Sequence, residues 1–198
     1  MAFFSFLNDN SDITDITWRD RKRFAPMDKM TNNLMRGESE LSIAQRELIA
    51  AYVSALNSCD FCYGSHQAVA ERFGVNKKTL EQAIDNIDTA DIDITIIPMM
   101  HYAKKLTLSP SKLISDDAKS VLDAGWSEAA LQDVIAIVSL FNFYNRLMDG
   151  HGIKGNAGIY QFAGNHLSKR GYSVPWFINI IAPIIRHQKK TFLQQFSR

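Results

Sequence analysis

The sequence reads as an all-α protein. Three features carry that reading. Apolar residues recur at helical spacing, polar capping residues stand just before those runs, and glycines stand just after several of them. No segment alternates apolar and polar residues with the period of two that marks a half-buried strand.

The elements follow in order. Ser42 and Gln45 form a capping-box signature ahead of a run from Ile43 to Asn57. That run carries Leu48, Ala51, Tyr52, Ala55 and Leu56 on one stripe. Ser58 is placed to cap a second helix that runs to Phe73, with Gly74 as its natural C′ residue. Asn76 caps a short helix to about Asp85. Another helix is expected from about Thr95 to Leu106, with Pro98 in its first turn. Ser115-Asp116-Asp117 opens one that ends at Gly125, and Ser127 caps a long helix from Glu128 to Asp149. The tail from Gly155 is expected to add two more, one before Gly171 and one after Pro175.

The chain also echoes itself. A shift of 85 positions lays Leu41–His66 over Trp126–His151 without a gap. Ser42/Ser127, Ala51/Ala136, Val53/Val138, Ser54/Ser139, Asn57/Asn142 and His66/His151 are then identical. This predicts one domain, residues 1–198, holding a duplicated helical unit at about 41–74 and 126–151. Chemistry would survive in the first copy alone, because Cys59, Cys62 and Glu47 lie over Tyr144, Leu147 and Gln132.

Bulk properties narrow the function. The chain has 198 residues, 46% hydrophobic and 22% charged, which is enough apolar mass for a real core. A net charge of +1 argues against a nucleic-acid binder, and the Arg19–Arg23 cluster reads as a solvated helix face. Met1–Leu7 lacks the basic start of a signal peptide, and no apolar run reaches the length of a membrane span. A cytoplasmic protein without membrane partners is expected. The stretches Ile92–Met100 and Phe177–Ile185 are greasy enough to suggest contact between subunits.

Both cysteines of the chain fall in Cys59-Asp60-Phe61-Cys62-Tyr63-Gly64-Ser65-His66. On a helix, the two sulfurs and the imidazole would share one face. Two thiols at this spacing can close a small disulfide, and a nearby base raises the thiolate fraction. In a reducing compartment such a pair is more readily catalytic or metal-binding than structural. Glu47, mid-helix near an apolar stripe, needs a partner if buried, and His66 is the obvious one. A relay Glu47–His66–cysteine follows. Cys62, one turn from His66, is expected to be the activated thiol and Cys59 the resolving one; Cys59 is also expected to be the more exposed, which would suit it for exchange with a reductant and leaves the order open. The helix N-terminus and His66 should bring at least one thiol to a pKa of roughly 5 to 7.5.

These residues resemble the alkylhydroperoxidase D (AhpD)-like family, within the carboxymuconolactone decarboxylase-like superfamily. Glu47, the CxxC and His66 carry the likeness in Arg46–Gly74. Gly125-Trp126-Ser127 through Asp149-Gly150 resembles the peroxidase-related branch. The resemblance implies an all-helical AhpD-like fold, a trimer or hexamer, and dithiol peroxidase or disulfide-exchange activity with Glu47, Cys59, Cys62 and His66 in a proton relay. It implies a peroxide or disulfide substrate, a dithiol reductant and no organic cofactor. Peroxidase-active members carry a second histidine just before the second cysteine, where this chain has Phe61. Three other readings compete. The first is a non-enzymatic helical oligomer that senses oxidation. The second is a metal site built from Cys59, Cys62, His66 and Glu47. The third is a decarboxylase or lactone-processing activity, for which the CxxC would be unneeded.

Overall fold

Local signals place most helix ends. In the computed structural model, which describes residues 2–178, 180 and 181, the α-helices are α1 (Ile13–Thr17), α2 (Arg21–Arg36), α3 (Ile43–Leu56), α4 (Asp60–Arg72), α5 (Lys77–Asp85), α6 (Ile97–Leu108), α7 (Ser115–Asp123), α8 (Glu128–Gly150) and α9 (Ala157–Arg170). There is no strand among the described residues. The fold is all-α, as the sequence predicts. The Ser42/Gln45 capping box closes in both directions, at 2.8 and 3.2 Å. Asn76 caps α5 and Ser127 caps α8. Gly74, Gly125 and Gly171 take positive φ just beyond their helices. α6 starts later than expected, because Ile94–Ile96 forms a separate 3₁₀ turn ahead of it. The helix expected after Pro175 begins at Ile178, but most of it, and most of Phe177–Ile185, lie outside the described residues.

α3 is the hub. Every residue from Arg46 to Ser54 is buried, so this helix has no solvent face and the expected single stripe is too narrow. α4, α8, α6 and α5 pack around it. Arg46 is buried because its guanidinium closes the end of α2, donating to the Leu34 and Gly37 carbonyls, both at 2.9 Å. Arg21, read as solvated, instead has a side chain only 10% exposed and pairs with Asp28 at 2.6 Å. Within Ile92–Met100, Ile96, Met99 and Met100 go into the chain's own core while Ile94 stays exposed.

Residues related by the 85-position shift meet in space. Asn57 Nδ2 donates to Asn142 Oδ1 at 3.1 Å, between α3 and α8. Ser54 and Ser139 each bond the carbonyl one turn back, both at 2.8 Å. Beyond these asparagines the two segments differ. α3 stops at Leu56, whereas α8 continues to Gly150.

α9 packs along α4 through two glycines. A methyl group on Gly64 would clash with the Tyr160 ring, and one on Gly164 would press on the Ala68 carbonyl. Tyr160 cannot easily swing away, because its hydroxyl donates to the Asp60 carbonyl at 3.0 Å and its ring also abuts Gly155. Gly64→Ala should therefore destabilise the protein by about 1–2 kcal/mol despite its better helix propensity. Urea unfolding checks this, and an unchanged midpoint would mean that α9 is loosely seated.

Candidate active site

The break between α3 and α4 builds the site. Asn57 ends α3, and Ser58 adopts φ 57°, a left-handed conformation that is strained for a residue with a side chain. Ser58 therefore does not cap α4. Cys59 occupies the N-cap position instead, without a side-chain capping bond, and its N–H is held by the Ser54 carbonyl at 3.0 Å. Cys62 then falls in the first turn of α4, with His66 one turn further on the same face.

His66 meets Glu47 as expected. Nδ1 of His66 lies 2.7 Å from Glu47 Oε2, and Glu47 is fully buried. Two partners were not anticipated. Arg36, in the last turn of α2, places Nη1 2.7 Å from Glu47 Oε1. Tyr172, just after α9, donates its hydroxyl to the same oxygen at 2.7 Å. Burial alone would raise the Glu47 pKa. The hydrogen bond and charge of His66, then Arg36 and Tyr172, outweigh it and hold the carboxyl below its ordinary value. Burial and the Glu47 charge push the Tyr172 phenol well up, so it stays a donor. The edge of Phe141 packs on the His66 ring, centroids 4.4 Å apart, and fixes its plane.

The two cysteines are free thiols and approach to 3.5 Å. Cys59 is wholly buried and Cys62 is 4% exposed, so Cys59 is not the more exposed of the pair. The reason is its N-cap position beneath the end of α8, where its sulfur faces the Asn145 carbonyl at 3.8 Å. The hydrogen bond to Cys59, then burial, pushes the Cys62 thiol well above its ordinary value. The expected lowering does not act on Cys62, because a neighbouring sulfur and low dielectric outweigh the helix N-terminus. Asn145 is fully buried and completes the floor. It donates to Ser54 at 3.0 Å and accepts from Asn57 at 2.8 Å.

The remaining candidates separate from this cluster. Phe61 is buried in the apolar core. His151 is satisfied by the Leu147 carbonyl at 2.7 Å, His101 pairs with Asp88 at the surface, and His166 stacks on Phe162. No group of three or more His, Cys, Asp or Glu side chains among the described residues is arranged to hold a metal ion. Arg36 and Tyr172 lack a local motif. The available signal was physical: a buried carboxylate beside a histidine still needs a permanent cation.

Helices around a buried dithiol, with a carboxylate–imidazole pair on the adjoining turn, define a class of helical thiol proteins. The profile of the Carboxymuconolactone decarboxylase family matches residues 24–93, which span α2 to α5 and hold Glu47, both cysteines and His66. Over this segment the chain is similar to that family, and its helical fold is the AhpD-like one. It is 25% identical over 112 residues to the uncharacterized protein YdfG of Bacillus subtilis (strain 168), covering 56% of this chain and 75% of that one. Among solved structures, an uncharacterized peroxidase-related protein from Silicibacter sp. TM1040 superposes with a TM-score of 0.66 at 26% identity, over 71% of this chain and 73% of that one. A peroxidase-related protein from Ralstonia eutropha JMP134, described as an alkylhydroperoxidase AhpD core, gives 0.66 at 23% identity, over 74% and 77%. No helix among the described residues is long and apolar enough to cross a membrane.

Proposed function

We propose that this protein is a cytoplasmic dithiol oxidoreductase that reduces a peroxide or a partner disulfide and is itself recycled by a dithiol reductant. The observation that carries the reading is the approach of Cys59 and Cys62 to 3.5 Å at the start of the helix whose next turn presents the Glu47-bound His66. With a peroxide, two thiols and ROOH give a disulfide, ROH and water. With a partner disulfide, the protein becomes the disulfide and the partner leaves as two thiols. Glu47 orients the imidazole and keeps it basic, and His66 takes or returns a thiol proton during the cycle. No organic cofactor enters. The exposed apolar side chains Ile94, Phe143 and Phe162 support assembly of copies into a trimer or hexamer. Light scattering that returns a monomer at micromolar concentration contradicts that part.

Intact-mass measurement tests the chemistry. One equivalent of hydrogen peroxide should remove two hydrogen atoms, abolish both free thiols and be reversed by dithiothreitol. Accumulation of sulfinic acid, or thiols that survive peroxide, contradicts the reading. Oxidation that is reversible but never supports repeated turnover favours a redox sensor instead.

A further inference from the structure

α4 carries a buried hydroxyl with an unused donor. Ser65 is 5% exposed, and its Oγ has no hydrogen-bond partner among the described residues. A buried polar group left in this state costs stability. The cost is avoidable, because a serine or threonine inside a helix can turn its hydroxyl back to the carbonyl four residues earlier. Buried Thr31 and Ser54 both do so, as do exposed Ser120 and Ser139, each at 2.8 Å. Ser65 has the Phe61 carbonyl in that position and does not bond it.

The place of Ser65 on the helix suggests what the donor is for. Cys62, Ser65 and His66 stand at i, i+3 and i+4 of α4, so they share one patch of its surface. Cys62 belongs to the dithiol, and His66 lies 2.7 Å from Glu47. The unpartnered hydroxyl therefore borders both the sulfur pair and the base.

We propose that Ser65 is a catalytic residue whose hydroxyl donates a hydrogen bond to the departing oxygen of a hydroperoxide as the Cys59–Cys62 pair is oxidised. This rests on the dithiol reading above and gives that site a preference for peroxides over disulfides. A departing hydroxide or alkoxide is a compact oxygen anion and a strong acceptor, whereas sulfur is a weak one. One donor placed in a buried site favours the oxygen anion far more than the sulfur one.

The steps balance. One thiol of the pair gives its proton to His66, and its sulfur attacks the near oxygen of the peroxide. The O–O bond breaks, and the electron pair leaves on the far oxygen, toward which Ser65 donates. That oxygen takes the proton from His66 and departs as the alcohol, while Ser65 keeps its own proton. The second sulfur then attacks the sulfenic sulfur, and hydroxide leaves as water with the second thiol's proton. The dithiol loses two electrons and the peroxide gains them.

The test compares single oxidations of reduced wild type and Ser65→Ala, followed by loss of free thiols, with two probes. Hydrogen peroxide expels an oxygen anion, and 4,4′-dithiodipyridine expels a sulfur leaving group. Ser65→Ala should slow oxidation by peroxide about 10- to 100-fold, the effect of losing a hydrogen bond to a charged group. Its rate with dithiodipyridine should match that of wild type. Thermal unfolding separates this role from a structural one. Ser65→Ala removes an unpaired buried hydroxyl and adds helix propensity, so its melting temperature should equal or exceed that of wild type. An unchanged peroxide rate, equal slowing with both probes, or a melting temperature below wild type overturns the proposal. A wild type that dithiodipyridine oxidises and peroxide does not also overturns it, and leaves the oxidoreductase reading standing in its disulfide form. A wild type that oxidises once but never turns over with a reductant overturns that reading instead, and leaves the comparison of probes readable.

Discussion

Replacing Arg36 with methionine should destabilise the fold by about 3–5 kcal/mol, as expected when one partner of a buried ion pair is removed. Glu47 has no exposed surface, and Arg36 lies 2.7 Å from one of its oxygens. Tyr172 and His66 remain in the variant, but neither is a permanent cation. Arg36 also donates to the Leu167 carbonyl at 3.1 Å, so its loss loosens the end of α9 as well. Arg36→Lys should recover part of the loss, because it keeps the charge without the planar reach. Urea unfolding at pH 7 measures both variants. A loss below about 1 kcal/mol for Arg36→Met would show that the site is hydrated, and would remove the reason for treating Glu47 as a fixed anion.

The second large effect is on acid stability. Glu47 has its folded-state pKa below the ordinary 4.5. A depressed carboxylate contributes stability that is present above its unfolded value and is lost as pH falls through the folded value. Wild type should therefore lose stability progressively below about pH 4.5. Glu47→Gln should be about 3 kcal/mol less stable at pH 7 and should show a flatter acid limb, so that the gap narrows as pH drops. Tyr172 works in the opposite direction. Its pKa is raised well above the ordinary value, so its contribution holds at neutral pH and is lost only as pH rises through the folded value. Tyr172→Phe should flatten the alkaline limb and leave the acid limb unchanged. Parallel acid limbs for wild type and Glu47→Gln would contradict the account of Glu47.

What could be read before folding was local. Ser42, Asn76 and Ser127 cap helices because the bonds they make span only two or three residues, so a short window contains the whole interaction. Glu47 and His66 were legible as a pair because two short helices joined by one turn bring such positions together. Arg36 and Tyr172 were not, since Tyr172 comes to Glu47 from 125 residues away. The left-handed Ser58 was also hidden, because a serine before a helix ordinarily reads as its cap. That single residue moves the N-cap to Cys59 and sinks its sulfur beneath α8.

The most direct measurement of the central claim is turnover. Wild type and Cys62→Ser are each supplied with peroxide and, separately, with a small disulfide, and a dithiol reductant recycles the protein. Wild type should consume at least one of these oxidants over many cycles, and Cys62→Ser, which cannot close the disulfide, should not turn over. Equal turnover by both proteins, or none by wild type, would contradict the assignment of Cys59 and Cys62 as a working dithiol.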